Sequence, residues 1–144
     1  MIEKCARLKE PILILGPSGV GKEVVARVIH EMSDRREKRF IAVNCGGLNE
    51  ETLLSELFGH KKGAFTGADK EKNGAIAEAN GSTLFLDEIG DMPIKAQTAV
   101  LRFLNDGKFQ KLGAIGEDIK ADVRVIAATN KNLKTEIKEG RFRE

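Results

Sequence analysis

The sequence contains no tryptophan and no tyrosine, and only two cysteines and three prolines. Cys5 and Cys45 stand apart, without the paired spacing of zinc ligands, so neither a disulfide scaffold nor a zinc site is expected. Isolated thiols of this kind read as buried structural groups in a reducing compartment. No apolar run approaches the ~20 residues that span a bilayer. The start, Met1 to Cys5, lacks the apolar region of a signal peptide. Neither sign of charge dominates: 24 Lys and Arg face 22 Asp and Glu, a formal net charge of +2. That balance argues against a dedicated nucleic-acid surface. Internal repeats, low-complexity tracts and Pro/Ser-rich linkers are also missing. The expectation is one cytoplasmic globular domain with no membrane partner. A chain of 144 residues buries roughly 70% of its extended surface, enough for a core without staples.

What is present is an alternation of short apolar runs with segments of helical period. Pro11–Leu15 is a continuous apolar run stopped by Gly16-Pro17, which suits a strand buried on both faces. Val24, Val25, Val28, Ile29 and Met32 fall on one side of a following helix. Phe40–Val43 is a second strand. Asn49 is an N-cap with Glu50 and Glu51 in the first turn, and Leu53, Leu54, Leu57 and Phe58 form that helix's stripe. Between Gly59 and Gly74 periodicity is lost and little is expected to be buried. Thr83–Leu86 is a third strand, and Pro93 opens a helix carrying Ala96, Ala99, Val100, Phe103 and Leu104. Lys108–Leu112 and Asp118–Ala121 flank Gly113–Gly116 as a small hairpin. Val123–Ala128 is a fourth strand, followed by a short helix over Asn132–Glu139. Strands alternating with helices argue for an α/β fold with a mostly parallel sheet covered on both faces, in three α-β-α layers.

One loop carries specific chemistry. Gly16, Pro17, Ser18, Gly19, Val20, Gly21 and Lys22 match G-x-x-x-x-G-K between a buried strand and an amphipathic helix. Glycines allow the dihedrals that turn several N–H groups onto phosphate oxygens. The helix adds its positive end, and Lys22 adds a mobile charge for the β- and γ-phosphates. This is the P-loop NTPase pattern. Glu23 stands where most P-loops carry a Ser or Thr hydroxyl for Mg²⁺, so the metal needs another ligand. Asp87 supplies it: four apolar residues followed by Asp-Glu form a Walker B pattern, and a carboxylate at the end of a buried strand can hold Mg²⁺ directly or through water. Glu88 is then placed to polarise an attacking water.

Further stretches carry a family resemblance. Glu56–His60 leads into the hexapeptide Gly63, Ala64, Phe65, Thr66, Gly67 and Ala68, and Gly81–Gly90 follows. Then come Ala127–Asn130 and Gly140–Glu144. Together with the P-loop they resemble the AAA+ central domain of bacterial enhancer-binding proteins, the NtrC-like activators of sigma-54 RNA polymerase, over essentially the whole chain. In that family Glu commonly follows the P-loop Lys, so Glu23 fits. The resemblance implies that ATP and Mg²⁺ are the cofactors, with Lys22 on the phosphates, Asp87 on Mg²⁺ and Glu88 activating water. It makes Asn44 a switch residue paired with Glu88, Thr129 and Asn130 a γ-phosphate sensor, and Arg143 an arginine finger reaching a neighbouring subunit. The implied activity is ATP hydrolysis in a homo-oligomeric ring, a hexamer, that remodels the closed promoter complex. DNA is reached through a separate domain.

Gly63–Ala68 reads physically as a mobile contact loop, with an aromatic at its tip and flexible glycines on either side, and the resemblance implies that its partner is the sigma-54 RNA polymerase holoenzyme. Gly113–Gly116 resembles the family's second pore-facing loop. The Asp34–Arg39 charge run reads as a solvated loop, Lys61 and Lys62 as solvated charges, and His30 and His60 as residues without metal-ligand partners. Two other readings stand at this point: a different AAA+ or P-loop machine, and a non-catalytic binding module. The resemblance also implies that the fifth strand and the helical lid lie outside these 144 residues. The expected product is a partial AAA+ nucleotide-binding subdomain with weak ATP binding, no stable ring alone, and Pro11–Leu15 left as an unprotected sheet edge.

Overall fold

The computed structural model describes residues 11–16, 21–114 and 116–129. In chain order these form β1 (Ile12–Leu15), α1 (Gly21–Glu31), β2 (Phe40–Asn44), α2 (Glu50–Phe58), β3 (Gly59–His60) and β4 (Lys72–Asn73). They continue as α3 (Ala75–Glu78), β5 (Thr83–Asp87), a 3₁₀ turn (Ile89–Asp91), α4 (Ile94–Asp106), β6 (Lys108–Phe109), β7 (Ile119–Lys120) and β8 (Arg124–Thr129). The expected helix over 132–139 lies outside the described residues. Among the described residues no helix is long and apolar enough to cross a membrane.

The central sheet has the order β1-β8-β5-β2, every pair parallel. Alternation along each strand divides the core in two. Leu84 and Leu86 of β5 turn to one face, where they meet Leu53, Leu57 and Phe58 of α2, Ile76 of α3 and Phe103 of α4. Phe85 turns to the other, against Ala26 and Ile29 of α1 and Ile126 and Ala128 of β8. The α/β class and the two covered faces therefore stand as read from sequence. Among the described residues β1 pairs on one side only, with β8, and its Leu13 and Leu15 are 44% and 64% exposed. That is the expected sheet edge. An apolar groove of about 230 Å³ runs between this edge and α4, lined by Leu13, Leu86, Val100, Leu104 and Val125.

Local signals account for the helix boundaries. Asn49 caps α2, its Oδ1 accepting the Thr52 N–H at 2.8 Å. All four residues of the expected α2 stripe are buried. Pro93 stands at the N-cap of α4, one residue outside the helix, and Gly107 closes it in the left-handed region, its N–H donating to the Phe103 carbonyl. The hairpin around 113–116 forms as expected, with Lys108 opposite Lys120 and Phe109 opposite Ile119.

Three readings need correction. The buried face of α1 consists of Lys22, Ala26, Ile29 and His30, whereas Val24 and Met32 are 57% and 42% exposed. Polar partners turn the helix. His30 accepts at Nδ1 from the Thr83 hydroxyl (2.8 Å) and donates from Nε2 to the Lys38 carbonyl (2.9 Å), which holds that side of α1 on β5. The small Ala26 then allows close approach to the sheet. The stretch from 59 to 74 is also more ordered than its composition suggests: β3 and β4 pair antiparallel, and His60 and Ala68 are buried. Nor is the Asp34–Arg39 run wholly solvated. Arg35 donates to both Asp122 carboxylate oxygens at 2.8 and 2.9 Å and to the Ser82 carbonyl at 2.8 Å.

Two glycines make the β3–β4 return possible. Gly59 has φ +80°, and a Cβ there would collide with the Lys72 carbonyl. A Cβ on Gly74 would collide with the backbone of Gly59 and of Leu57. Since backbone cannot move aside as a side chain can, Gly74→Ala is expected to destabilise the chain by about 2–3 kcal/mol. A urea titration measures this, and an unchanged midpoint would contradict the packing described.

Candidate functional site

Parallel register aligns the carboxyl ends of the strands. Asn44 lies opposite Asp87 and Leu15 opposite Thr129, while the Gly16 N–H donates to the Thr129 carbonyl at 3.3 Å. In open α/β sheets this edge is where ligands bind. Gly21, Lys22 and Glu23 open α1 there. Pro17, Ser18, Gly19, Val20, Asn130 and Arg143 lie outside the described residues.

Lys22 is the centre of the charge arrangement. Its side chain is 6% exposed, its Nζ donates to the Gly16 carbonyl at 3.0 Å, and it stands 3.6 Å from Glu88 Oε1. A buried ammonium needs a partner of opposite charge, and Glu88 provides it. Glu88 itself sits at φ 57°, ψ 49°, the one non-glycine residue with positive φ among those described. That conformation costs about 1–2 kcal/mol, and it turns the carboxylate back toward α1. Asp87 Oδ1 accepts the Glu88 N–H at 2.9 Å and steadies the turn. Glu23, Asn44, Asp87 and Glu88 border a cleft of about 570 Å³ with Ala42 and Phe85. Glu23 also lies 3.8 Å from Arg27 on the helix surface.

Asn44 is brought to this cleft, but the pairing with Glu88 is not formed. Its Oδ1 accepts the Gly46 N–H at 2.9 Å and closes a tight turn after β2. Glu88 is engaged by the stronger charge of Lys22 instead. Sequence reading missed Gly46. A Cβ there would lie 3.1 Å from Asp91 Oδ2, 3.3 Å from Asn44 Oδ1 and 3.6 Å from Glu88 Cβ, so the turn packs directly on the site. The Gly46-Gly47 pair one residue after the end of β2 was the available signal.

Gly63–Ala68 closes on itself through Gly63 N–H to the Ala68 carbonyl (2.8 Å) and Ala68 N–H to the Phe65 carbonyl (3.0 Å). Phe65 is half-buried and meets the His60 ring edge-to-face at 4.9 Å, so it rests on the body of the molecule and not at a free tip. Together with Leu54, Ala64 and Leu112, and with Glu50 and Glu51 at its rim, it lines a cleft of about 350 Å³. The 113–116 turn touches this loop: a Cβ on Gly113 would be 2.9 Å from Ala64 Cβ. Lys61 is not simply a solvated charge. It lies 3.1 Å from Glu71 and 3.8 Å from Glu117, and Lys111 reaches Glu71 at 3.2 Å. Hydrogen bonding to Glu71 holds the Lys61 ammonium above its ordinary pKa, and the reciprocal bond holds Glu71 below its own.

A family model for the sigma-54 interaction domain matches residues 1–144. The chain belongs to that family. The DNA-binding transcriptional regulator NtrC of Escherichia coli (strain K12) is 49% identical over 144 residues, which cover 100% of this chain and 30% of that protein. NtrX from Brucella abortus, solved in complex with ADP and with ATP, superposes with TM-scores of 0.89 and 0.87 at 43% identity. These matches cover 99% of this chain and 30% and 32% of the respective NtrX chains. The P-loop NTPase domain of a sigma-54 transport activator from E. coli shares the fold, with a TM-score of 0.60 at 14% identity over 96% of this chain and 88% of that one. This sigma-54 interaction domain thus has the P-loop NTPase fold and spans about 30% of the length of NtrC.

Cys45 gives the site a pH signature. Burial first, and then the charges of Asp87 and Asp91, push its thiol pKa from 9.0 up to about 12. The folded pKa lies above the unfolded one, so its contribution to stability is complete below pH 9 and is lost as pH rises toward 12. From pH 8 to pH 10.5 this group should lower the free energy of unfolding by about 2 kcal/mol. Urea unfolding at the two pH values, compared with Cys45→Ala, isolates that difference. Equal pH slopes in the two proteins would contradict it.

Proposed function

We propose that this chain binds and hydrolyses ATP with Mg²⁺, and that in the bacterial cytoplasm the energy released remodels a sigma-54 RNA polymerase closed promoter complex. The observation that carries the reading is the meeting of buried Lys22 with Glu88 at the strand end that also presents Asp87. A cation held at a helix start is suited to phosphate oxygens, which can displace a single carboxylate partner. Among the described residues no cluster of three or more His, Cys, Asp or Glu is arranged to hold a metal alone. Asp87, with Glu23 nearby, fits Mg²⁺ that keeps several waters and phosphate oxygens, as this ion prefers. The ion supplies charge neutralisation on the phosphates.

On this reading Lys22 draws in the β- and γ-phosphates together with the G-x-x-x-x-G-K motif that it ends, and Glu88, released from Lys22, orients a water for attack. Asn44 is the neighbouring polar group that can take up Glu88. Thr129 and Asn130 read the γ-phosphate, and Arg143 serves the adjoining subunit of a hexameric ring. Phe65 and its loop, Gly63 to Ala68, contact the sigma-54 holoenzyme, and DNA is bound by a separate domain. The solved NtrX complexes with ADP and ATP support nucleotide binding, and the family match supports the partner.

Three variants separate these roles. Lys22→Ala should weaken binding of Mg²⁺-ADP at least about tenfold, because one charge-assisted contact is lost. Glu88→Gln should retain binding and lose turnover by about two orders of magnitude or more. Phe65→Ala, in the intact protein, should spare ATP turnover and abolish promoter opening. If turnover and promoter opening fall together in Phe65→Ala, the loop is not the coupling contact. Unchanged ADP affinity in Lys22→Ala would overturn the nucleotide site.

A further inference from the structure

His60 is a buried histidine that the proposed chemistry does not use, and four separate elements converge on it. Ser55 of α2 presents its hydroxyl 2.6 Å from Nδ1. The Lys70 carbonyl, on the return of the contact loop, lies 2.8 Å from Nε2. Backbone bonds from Lys61 N–H to the Leu112 carbonyl (2.9 Å) and from Leu112 N–H to the Gly59 carbonyl (3.0 Å) join its strand to the segment leading into the 113–116 turn. On the remaining side stands the ring of Phe65, at 77° to the imidazole.

These contacts fix the ring completely. A carbonyl can only accept, so Nε2 carries the proton, and Nδ1 accepts from Ser55. With donor and acceptor both engaged, the imidazole cannot rotate without losing one buried and one partly buried hydrogen bond. An aromatic residue with an acceptor on one edge and a donor on the other is what this position demands. We propose that His60 is the positioning residue of the Gly63–Ala68 loop: its ring, locked between α2 and the Lys70 carbonyl on the loop's return, is the seat on which Phe65 rests. Helix α2 thereby sets where Phe65 stands. Gly63 and Gly67, at φ +81° and +95°, lie either side of Phe65 as the hinges about which it leaves that seat. An edge-to-face pair of this kind favours the seated over the released position by about threefold to tenfold. The inference rests on the reading of this loop as the partner contact, and it adds a residue that governs presentation of the contact.

The absence of tryptophan and tyrosine from the sequence makes the test direct. Phe65→Trp introduces a single emitter at the seat, and acrylamide quenching reports its release without any partner present. Against that parent, adding His60→Leu or Ser55→Ala should raise the quenching constant about twofold or more and shift emission to the red, since the seat or its lock is lost. His60→Phe, which keeps a ring but not the lock, should fall between. Affinity for a fluorescent ADP analogue and far-UV circular dichroism should stay unchanged in all of them. An unmoved quenching constant in Ser55→Ala and His60→Leu overturns the proposal. So does a loss of nucleotide affinity in step with the quenching, which would make His60 a general structural residue. If His60→Leu does not fold, Ser55→Ala decides alone. Release of the tryptophan with promoter opening by the intact His60→Leu protein unaltered would keep the seat and remove the loop's partner role, so the two readings fail separately.

Discussion

Parallel in-register pairing places Asn44 beside Asp87 and Leu15 beside Thr129, and every feature of the site depends on that alignment. A parallel sheet requires a crossover after each strand, and the crossovers leave the carboxyl ends on one edge. Here the edge receives the start of α1, with Lys22, and the turn at Glu88. A one-residue slip of β5 would send Leu84 and Leu86 out of the α2–α4 layer and carry Asp87 to the wrong face. The apolar cost of such a slip is what protects the chemistry. Leu84, Phe85 and Leu86 are each no more than 2% exposed, so register is held by both faces at once.

Within that frame, electrostatics decides local geometry. Lys22 is buried beside a carboxylate at the start of α1, and its charge must be compensated because its side chain is almost wholly removed from water. Glu88 answers it from a left-handed backbone conformation that few non-glycine residues adopt. Strain of this kind persists only where surrounding contacts over-determine it. Those contacts are identifiable: the Asp87 carboxylate on the Glu88 N–H, and the Asp91 N–H on the Glu88 carbonyl at 3.1 Å. Burial first, and then the same pair of aspartates, raises the pKa of Cys45. The thiol is therefore an inert spectator of the most charged corner of the molecule.

The Gly63–Ala68 loop follows a different logic. Its glycines and polar residues give it no core of its own, yet it is not left in solvent. Phe65 is taken up by His60, Ala68 is buried, and Lys61 and Lys111 pair with Glu71 and Glu117 across the two neighbouring hairpins. The two loops are thus joined at backbone level through Leu112 and at side-chain level through exposed charge pairs. Such pairs individually contribute little in water, so the buried His60 and its two hydrogen bonds are the stronger tie.

Local pattern was sufficient for much of this. The four-residue apolar run before a glycine loop, the Asn49 cap, the stripe of α2, the hairpin around 113–116 and the Leu-Asp-Glu strand end were all legible, because each depends on residues close together in the chain. The family was legible for the same reason, since its motifs are short and contiguous. What the sequence could not specify was orientation around long-range partners. Thr83 draws in His30 and turns α1 away from its apparent stripe, Lys22 takes Glu88 ahead of Asn44, and Ser55 and Lys70 lock the ring on which Phe65 rests. Each of these choices is a competition between polar groups for burial and a hydrogen-bond or ionic partner. Its outcome depends on distances that exist only once the sheet has brought the competitors together.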